Sequence, residues 1–241
     1  MLGTLINVIG VLIGVSWAML KRPPLDAAFQ QAAKLLLAVS VTWTGLSIAW
    51  SGFGGSFKKV LGQLGMTLLA MSLGNLLGRM LGIQKGFNKL GSYARDRFDR
   101  LAASGPGPNR VGNAVTVATI VYCATPLCFL GALMEGLTGD PKPLILKAVM
   151  DALAAVSFAS IFGWGFLLGA IPLLAVEGGI TIAASAVSPF LYDHGLVDSV
   201  LRVTGMIIFC VTLVILEIKK VELGNYLPSL LFAPLIAWLF S

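Results

Sequence analysis

Apolar residues run along this chain in long blocks, separated by short clusters of charge, glycine and proline. The blocks match the roughly 17–25 residues that an α-helix needs to cross a bilayer core. They predict spans at 2–20, 30–50, 60–82, 112–134, 144–163, 165–189, 197–217 and 225–241. Only Gly163-Trp164-Gly165 separates the fifth from the sixth, a minimal turn whose Trp164 suits a membrane interface. The expected fold is all-α, a polytopic transmembrane helix bundle of about eight spans, forming a single integral membrane domain over 1–241.

One segment follows a different pattern. Phe87, Leu90, Ala94, Phe98 and Leu101 recur at steps of three and four, with Lys89, Arg95, Arg97 and Arg100 around them. This spacing predicts an amphipathic helix over 85–104, ended by Ala103-Ser104-Gly105-Pro106-Gly107-Pro108. Two placements suit it: flat on an anionic leaflet, or as a clamp between helices of the protein itself. Asp96 and Asp99 are interleaved with its basic residues, which argues against a nucleic-acid arm, so no nucleic acid is expected as a partner.

A faint repeat is also visible. Lys58-Lys59-Val60-Leu61-Gly62-Gln63-Leu64 opens the third span, and Lys219-Lys220-Val221-Glu222-Leu223-Gly224-Asn225-Tyr226-Leu227 opens the eighth with two insertions. Gly3, Gly10 and Gly14 of the first span loosely echo Gly169, Gly178 and Gly179 of the sixth. The two units, 1–83 and 165–241, would be three-span inverted repeats flanking central spans at 112–163, a construction common in secondary transporters.

Composition agrees with the pattern: 57% of residues are hydrophobic and 12% charged, where soluble domains carry about 25% charged residues. The net charge of +6 is concentrated, with seven of the seventeen Lys/Arg falling between Arg79 and Arg110. With eight spans and an outside N-terminus, twelve Lys/Arg fall at inner ends and five at outer ones. This satisfies the positive-inside rule and predicts both termini outside a bacterial inner membrane. Met1 to Leu20 lacks a basic leader, is span-length and precedes Lys21-Arg22-Pro23-Pro24, so it reads as a retained first helix. Cys123, Cys128 and Cys210 all lie in apolar runs without metal-ligand spacing, so neither a metal site nor a cofactor is expected.

Against this apolar background a few ionisable residues carry the candidate chemistry. From Ala152 to Leu191 the only one is Glu177, followed by Gly178 and Gly179 and preceded by Pro172. An acid at the bilayer centre costs on the order of 2.5–3.5 kcal/mol, so intramembrane acids mark candidate functional positions. Pro172 and the two glycines predict a broken helix there, with Glu177 near the membrane midplane. Lys147 and Asp151 share a face at i,i+4, continued by Ser157; Lys147 is close enough to the span end to reach the interface, whereas Asp151 is deeper and needs a partner. Glu135 and Asp140 fall in an expected outer loop at 135–143 and are candidate vestibule residues. Gly10/Gly14 and Gly74/Gly78 mark close helix packing, including a candidate homodimer face. His194, the only histidine, reads as a surface loop residue; with no nucleophile–base pair, no catalytic residue and no enzyme activity are expected.

Several of these pieces resemble the prokaryotic membrane protein family of unknown function 554, also called the YqgA/YdfK-like family. They are Gly131-Ala132-Leu133-Met134-Glu135-Gly136-Leu137-Thr138-Gly139-Asp140, Lys147 to Asp151, Phe158-Ala159-Ser160 and Ala170-Ile171-Pro172, with the opening Met1-Leu2-Gly3-Thr4-Leu5-Ile6-Asn7 and the closing Leu227-Pro228-Ser229-Leu230-Leu231-Phe232-Ala233-Pro234. The resemblance covers nearly the whole chain and implies its fold and site region, without implying a substrate. The chain differs from the family pattern in having Glu177-Gly178-Gly179 for Gln-Gly-Ser and Asp151-Ala152 for Asp-Gly.

The reading that results is a membrane transporter or channel for a small ion or solute, with Glu177 and Asp151 lining one polar path. The alternative is a non-transporting scaffold or partner subunit that docks through the basic helix 85–104.

Overall fold

The computed structural model describes residues 1–20, 26–104 and 110–240, without the side chains of 101–104 and 110. Lys21-Arg22-Pro23-Pro24 and Gly105-Pro106-Gly107-Pro108 therefore lie outside the described residues. Among the described residues ten α-helices follow one another: α1 Leu2–Met19, α2 Ala27–Ser51, α3 Phe57–Leu81, α4 Ile83–Ser104, α5 Arg110–Cys123, α6 Pro126–Thr138, α7 Lys142–Phe162, α8 Ala170–Asp193, α9 Val197–Ile215 and α10 Ser229–Leu239. Short 3-10 turns precede α8 and α10, at Gly163–Gly169 and Leu223–Tyr226.

Five segments are long and apolar enough to cross a membrane: Leu2–Met19, Ala27–Ser51, Phe57–Leu81, Lys142–Asp193 and Val197–Ile215. The pair α5 and α6, bent by 61° at their junction, is a broken span or a re-entrant loop. The Lys142–Asp193 stretch folds back on itself. Lys147 Nζ lies 3.4 Å from Glu177 Oε1, whereas thirty residues of straight helix would hold them about 45 Å apart. The reversal begins at Gly163, whose φ of 75° a residue with a Cβ adopts only under strain.

Two expectations about the spans need correction. The window 112–134 is not one straight helix. Thr125 caps α6, accepting the Cys128 N–H at 3.3 Å, and Pro126 starts the helix where its missing N–H is harmless. That local signal stops α5 and restarts the chain as α6. The final window, 225–241, joins the end of a 3-10 turn to the eleven residues of α10, and the apolar helical stretch Leu223–Leu239 is shorter than each of the five candidate spans.

Helix pairing is set by small residues. α1 runs beside α7 in the same direction: a Cβ on Gly10 would come within 2.8 Å of the Ala148 carbonyl oxygen, and one on Gly14 within 2.4 Å of that of Ala152. α2 crosses α9 with Gly45 and Gly205 facing each other's backbones, and Gly74 and Gly78 of α3 rest on Ser229 and Asn225. The glycine spacings are thus used inside the protein, where backbones approach without a side chain between them. Two apolar cores result. One is built around Val11, Tyr122, Phe162 and Phe166, the other around Leu130, Val203, Ile207 and Ile208.

The amphipathic helix forms as expected, as α4. Part of its apolar face is turned to the protein: Phe98 meets Phe158 edge-on at 5.2 Å, Ala94 is buried and Phe87 covers Gly224, whereas Leu90 is exposed. Arg97 donates to Asn113 Oδ1 at 2.9 Å, tying α4 to α5. These contacts are those of a clamp, one of the two placements read from the sequence.

Candidate functional site

Five acidic or basic side chains are buried among the described residues: Glu135, Lys147, Asp151, Glu177 and Arg202. Two of them serve helix ends. Glu135, on α6, accepts the Gly3 N–H at 2.5 Å, the Thr4 N–H at 3.2 Å and the Thr4 hydroxyl at 2.9 Å. These are first-turn donors of α1, which have no partner within their own helix, and an anion is favoured at that end of the helix dipole. Arg202, on α9, does the converse: its guanidinium donates to the carbonyl of Gly52, the C-cap of α2, at 2.5 Å and to Thr67 Oγ1 at 3.3 Å. Glu135 is therefore a buried capping group and not a loop residue.

The other three meet one another. Lys147 and Asp151, one turn apart on α7, form an ion pair, and Lys147 Nζ also lies 3.4 Å from Glu177 Oε1 on α8. Asn7 of α1 donates its Nδ2–H to the same Glu177 oxygen at 2.8 Å. Asn7 and Glu177 are fully buried. One oxygen on each is left over: neither Asn7 Oδ1 nor Glu177 Oε2 has a hydrogen-bond partner among the described residues. The cluster thus holds one ammonium, two carboxyls and an amide, with two acceptor oxygens free.

Each side chain is in place for a local reason. Lys147 was expected to reach the interface, but it is the sixth residue of α7 and its side chain is 2% exposed. It points inward because Asp151 and Glu177 lie on that side. Asn7 follows Gly3 and Thr4 on the strand of α1 that Glu135 holds, and Gly3 brings this end of α1 against Leu144. By helical rise, Asn7 and Lys147 each lie about 8 Å from the starts of α1 and α7, and Asp151 about 14 Å. The site therefore occupies the half of the bundle near those starts, with Asp151 closest to the middle.

The remaining sequence candidates separate. Gly178 is buried, with Met1 the nearest side chain, while Gly179 is exposed with nothing within 4 Å of a Cβ. Helix α8 continues without a break through Glu177-Gly178-Gly179, correcting the expected rupture. Pro172 sits in its first turn, where no intrahelical N–H bond is lost. Ser157 is exposed and bonded to the Leu153 carbonyl of its own helix, so it takes no part in the cluster. Asp140 forms a turn before α7, accepting the Lys142 N–H at 3.1 Å.

Two features of the site were not among the sequence's site candidates. Asn7 had the signal of a polar residue in an apolar span, but its partner lies 170 positions away. The break nearest the cluster is the α5–α6 bend, since both of these helices pack against α7 and α8, which carry Lys147, Asp151 and Glu177. Thr125-Pro126 was its readable mark.

Among known proteins, the chain is similar to YqgA of Escherichia coli (strain K12), named an uncharacterized protein, at 30% identity over 226 residues, 94% of each chain. It is also similar to YdfK of Bacillus subtilis (strain 168), named an uncharacterized membrane protein, at 27% identity over 169 residues, 70% of this chain and 68% of that one. No solved structure matches it. The family resemblance drawn from the sequence holds: over residues 2–238 the chain matches the pattern described as protein of unknown function (DUF554), and it belongs to that family.

Proposed function

We propose that this protein is a membrane transporter or channel for a small ion, with the Asn7–Lys147–Asp151–Glu177 cluster as the position the ion occupies on its way. One observation carries the reading: a fully buried carboxyl, Glu177, keeps one oxygen without a partner beside an equally free amide oxygen on a neighbouring helix. Burying an ion costs several kcal/mol even in a relaxed protein, and apolar side chains of the same volume avoid that cost. Two carboxyls share one ammonium, and both free atoms are acceptors. A proton on Glu177 or a monovalent cation between these oxygens balances the charge. Lys147 is placed to compete for the same carboxyls when that cation leaves.

The surrounding frame supports the reading. A span broken at Cys123–Pro126, next to the cluster, resembles the discontinuous helices through which transporters expose backbone groups. An inverted repeat is supported by the reciprocal packing of Thr44-Gly45 on α2 with Thr204-Gly205 on α9. It is further supported by Lys58-Lys59-Val60 at the start of α3 and Lys219-Lys220-Val221 beside its far end. Basic residues gather where Lys34 meets Glu217, Arg79 meets Glu222 and Arg97 meets Asn113. By the positive-inside rule this end faces the cytoplasm of a bacterial inner membrane, placing Met1 and the cluster toward the outside. The scaffold alternative rests on α4, where Ala94 and Phe98 pack on the protein's own core and Leu90 and Tyr93 stay exposed.

The test is ion flux into proteoliposomes under imposed proton, sodium or potassium gradients, comparing wild type with Glu177→Gln and Asp151→Asn. Dissipation of one gradient by wild type, abolished by Glu177→Gln, is the expected result. Equal flux in the variant removes Glu177 from the mechanism.

A further inference from the structure

At the basic end of the bundle, away from the buried cluster, lies a cavity of about 760 Å³. Its walls come from the last turns of α3, the first turns of α4, the end of α9 and the stretch from Lys219 to Tyr226. The floor is built from hydrogen bonds. Gln84 Oε1 accepts the Gly224 N–H at 2.9 Å, the Gln84 N–H donates to Asn225 Oδ1 at 3.1 Å, and Gln84 Nε2 donates to Asn88 at 3.0 Å. Asn225 is buried, and its backbone lies so close to Gly78 that a Cβ there would stand 2.1 Å from the Asn225 oxygen. The start of α4, the end of α3 and the 223–226 turn are thereby pinned as one rigid cup.

Four cations line that cup: Arg79, Lys85, Lys219 and Lys220. One acid faces them, Glu222, and it is already held by Asn225 Nδ2 at 2.8 Å and approached by Arg79 at 3.9 Å. Among the described residues no carboxylate lies within ion-pair distance of Lys85, Lys219 or Lys220. Cations converging on one concavity repel one another unless an anion with several acceptor oxygens joins them. Lys and Arg together suit phosphate: Arg bonds two of its oxygens at once and Lys acts as a point charge.

The surroundings say where that phosphate comes from. Leu76, Met80 and Leu81, on the same last turns of α3 that supply Arg79, are exposed apolar side chains of a membrane-spanning helix. An acyl chain can lie along them while its headgroup sits in the cup. Basic pockets between helices at the cytoplasmic surface bind the headgroups of anionic lipids in this way.

We propose that this cavity is a binding site for the phosphate headgroup of an anionic phospholipid. The site is separate from the buried cluster, and its test does not depend on transport. Purified protein in a neutral detergent is titrated with short-chain phosphatidylglycerol, phosphatidylcholine and inorganic phosphate, with binding read by native mass spectrometry. Wild type binds phosphatidylglycerol at least tenfold more tightly than phosphatidylcholine, and raising salt weakens it. The Lys219→Gln/Lys220→Gln double variant loses that preference. The Lys58→Gln/Lys59→Gln variant, which removes the same charge at the opposite end of α3, keeps it. Loss of the preference in both variants, or its absence in wild type, overturns the site. Inorganic phosphate binding as tightly as phosphatidylglycerol overturns the lipid as its source. Thermal unfolding of both variants establishes that they are folded; if the Lys219/Lys220 variant does not fold, Arg79→Gln takes its place with the same expected loss.

Discussion

Asn7 and Glu177 are joined by a 2.8 Å hydrogen bond that closes 170 positions of chain, and each keeps one oxygen unbonded. The pair links the first helix to the eighth at the place where Lys147 and Asp151 enter from the seventh. Glu177→Gln retains an amide oxygen for Asn7 while removing the charge. It is expected to melt within a few degrees of wild type and to lose ion flux. Asn7→Leu removes the amide donor from Glu177 Oε1 and leaves it only Lys147, at 3.4 Å, a loss expected to cost about 1–3 kcal/mol. Melting curves and flux measured on the same preparations separate the two effects.

Glu135 predicts the opposite profile. Its carboxylate satisfies three donors in the first turn of α1, so Glu135→Ala uncaps that helix and leaves the donors buried. A loss of 2 kcal/mol or more, on the order of a strong N-cap plus an unsatisfied donor, is expected in denaturant or thermal unfolding. Glu135→Gln, which still accepts through one oxygen, should fall between the alanine variant and wild type.

The α2–α9 crossing is similarly testable. A Cβ at Gly205 would lie 2.3 Å from the Ala49 nitrogen, and one at Gly45 2.5 Å from the Phe209 nitrogen. The obstructing atoms are backbone and cannot move aside. Gly205→Ala is expected to destabilise by about 1–3 kcal/mol, the usual penalty for overpacking. Gly62→Ala on α3, where nothing lies within 4 Å, should show no loss. The melting temperatures of the two variants check this directly.

One surface pair carries a pH dependence. Lys34 lies 2.6 Å from Glu217 and holds that carboxyl below the usual carboxylate range. A native value below the unfolded one means that the pair adds stability above ordinary carboxylate titration and loses it as pH falls through the native value. Lys34→Gln should therefore melt below wild type near pH 7, and the two should coincide near about pH 3. A melting-temperature difference that stays constant from neutral to acid pH would show that the pair contributes nothing.

Much of the frame was readable from the apolar blocks. The helical architecture, the amphipathic α4 and the burial of Glu177 and Asp151 all follow from period and isolation. What was not readable depends on contacts between distant segments. Lys147 looks free to reach the interface until α8 is placed beside it, and Glu135 looks like a loop acid until α1 arrives with uncapped donors. Pro172 suggested a break because a proline inside a span usually disturbs it. The 3-10 turn at Gly163–Gly169 moved the start of α8 forward, so the proline fell in a harmless first turn. At Thr125-Pro126 the local signal was present, and a long apolar window concealed it.

The cap that Glu135 places on α1 also has a consequence for biogenesis. The first helix leaves the ribosome more than a hundred residues before the helices that will receive it, α6 and α7. At roughly 5–20 residues per second, that interval is on the order of ten seconds. Throughout it α1 has bare donors at its first turn and an unoccupied glycine seam. The nascent protein must therefore park its first helix, beside lipid or a membrane chaperone, until the later helices come to claim it.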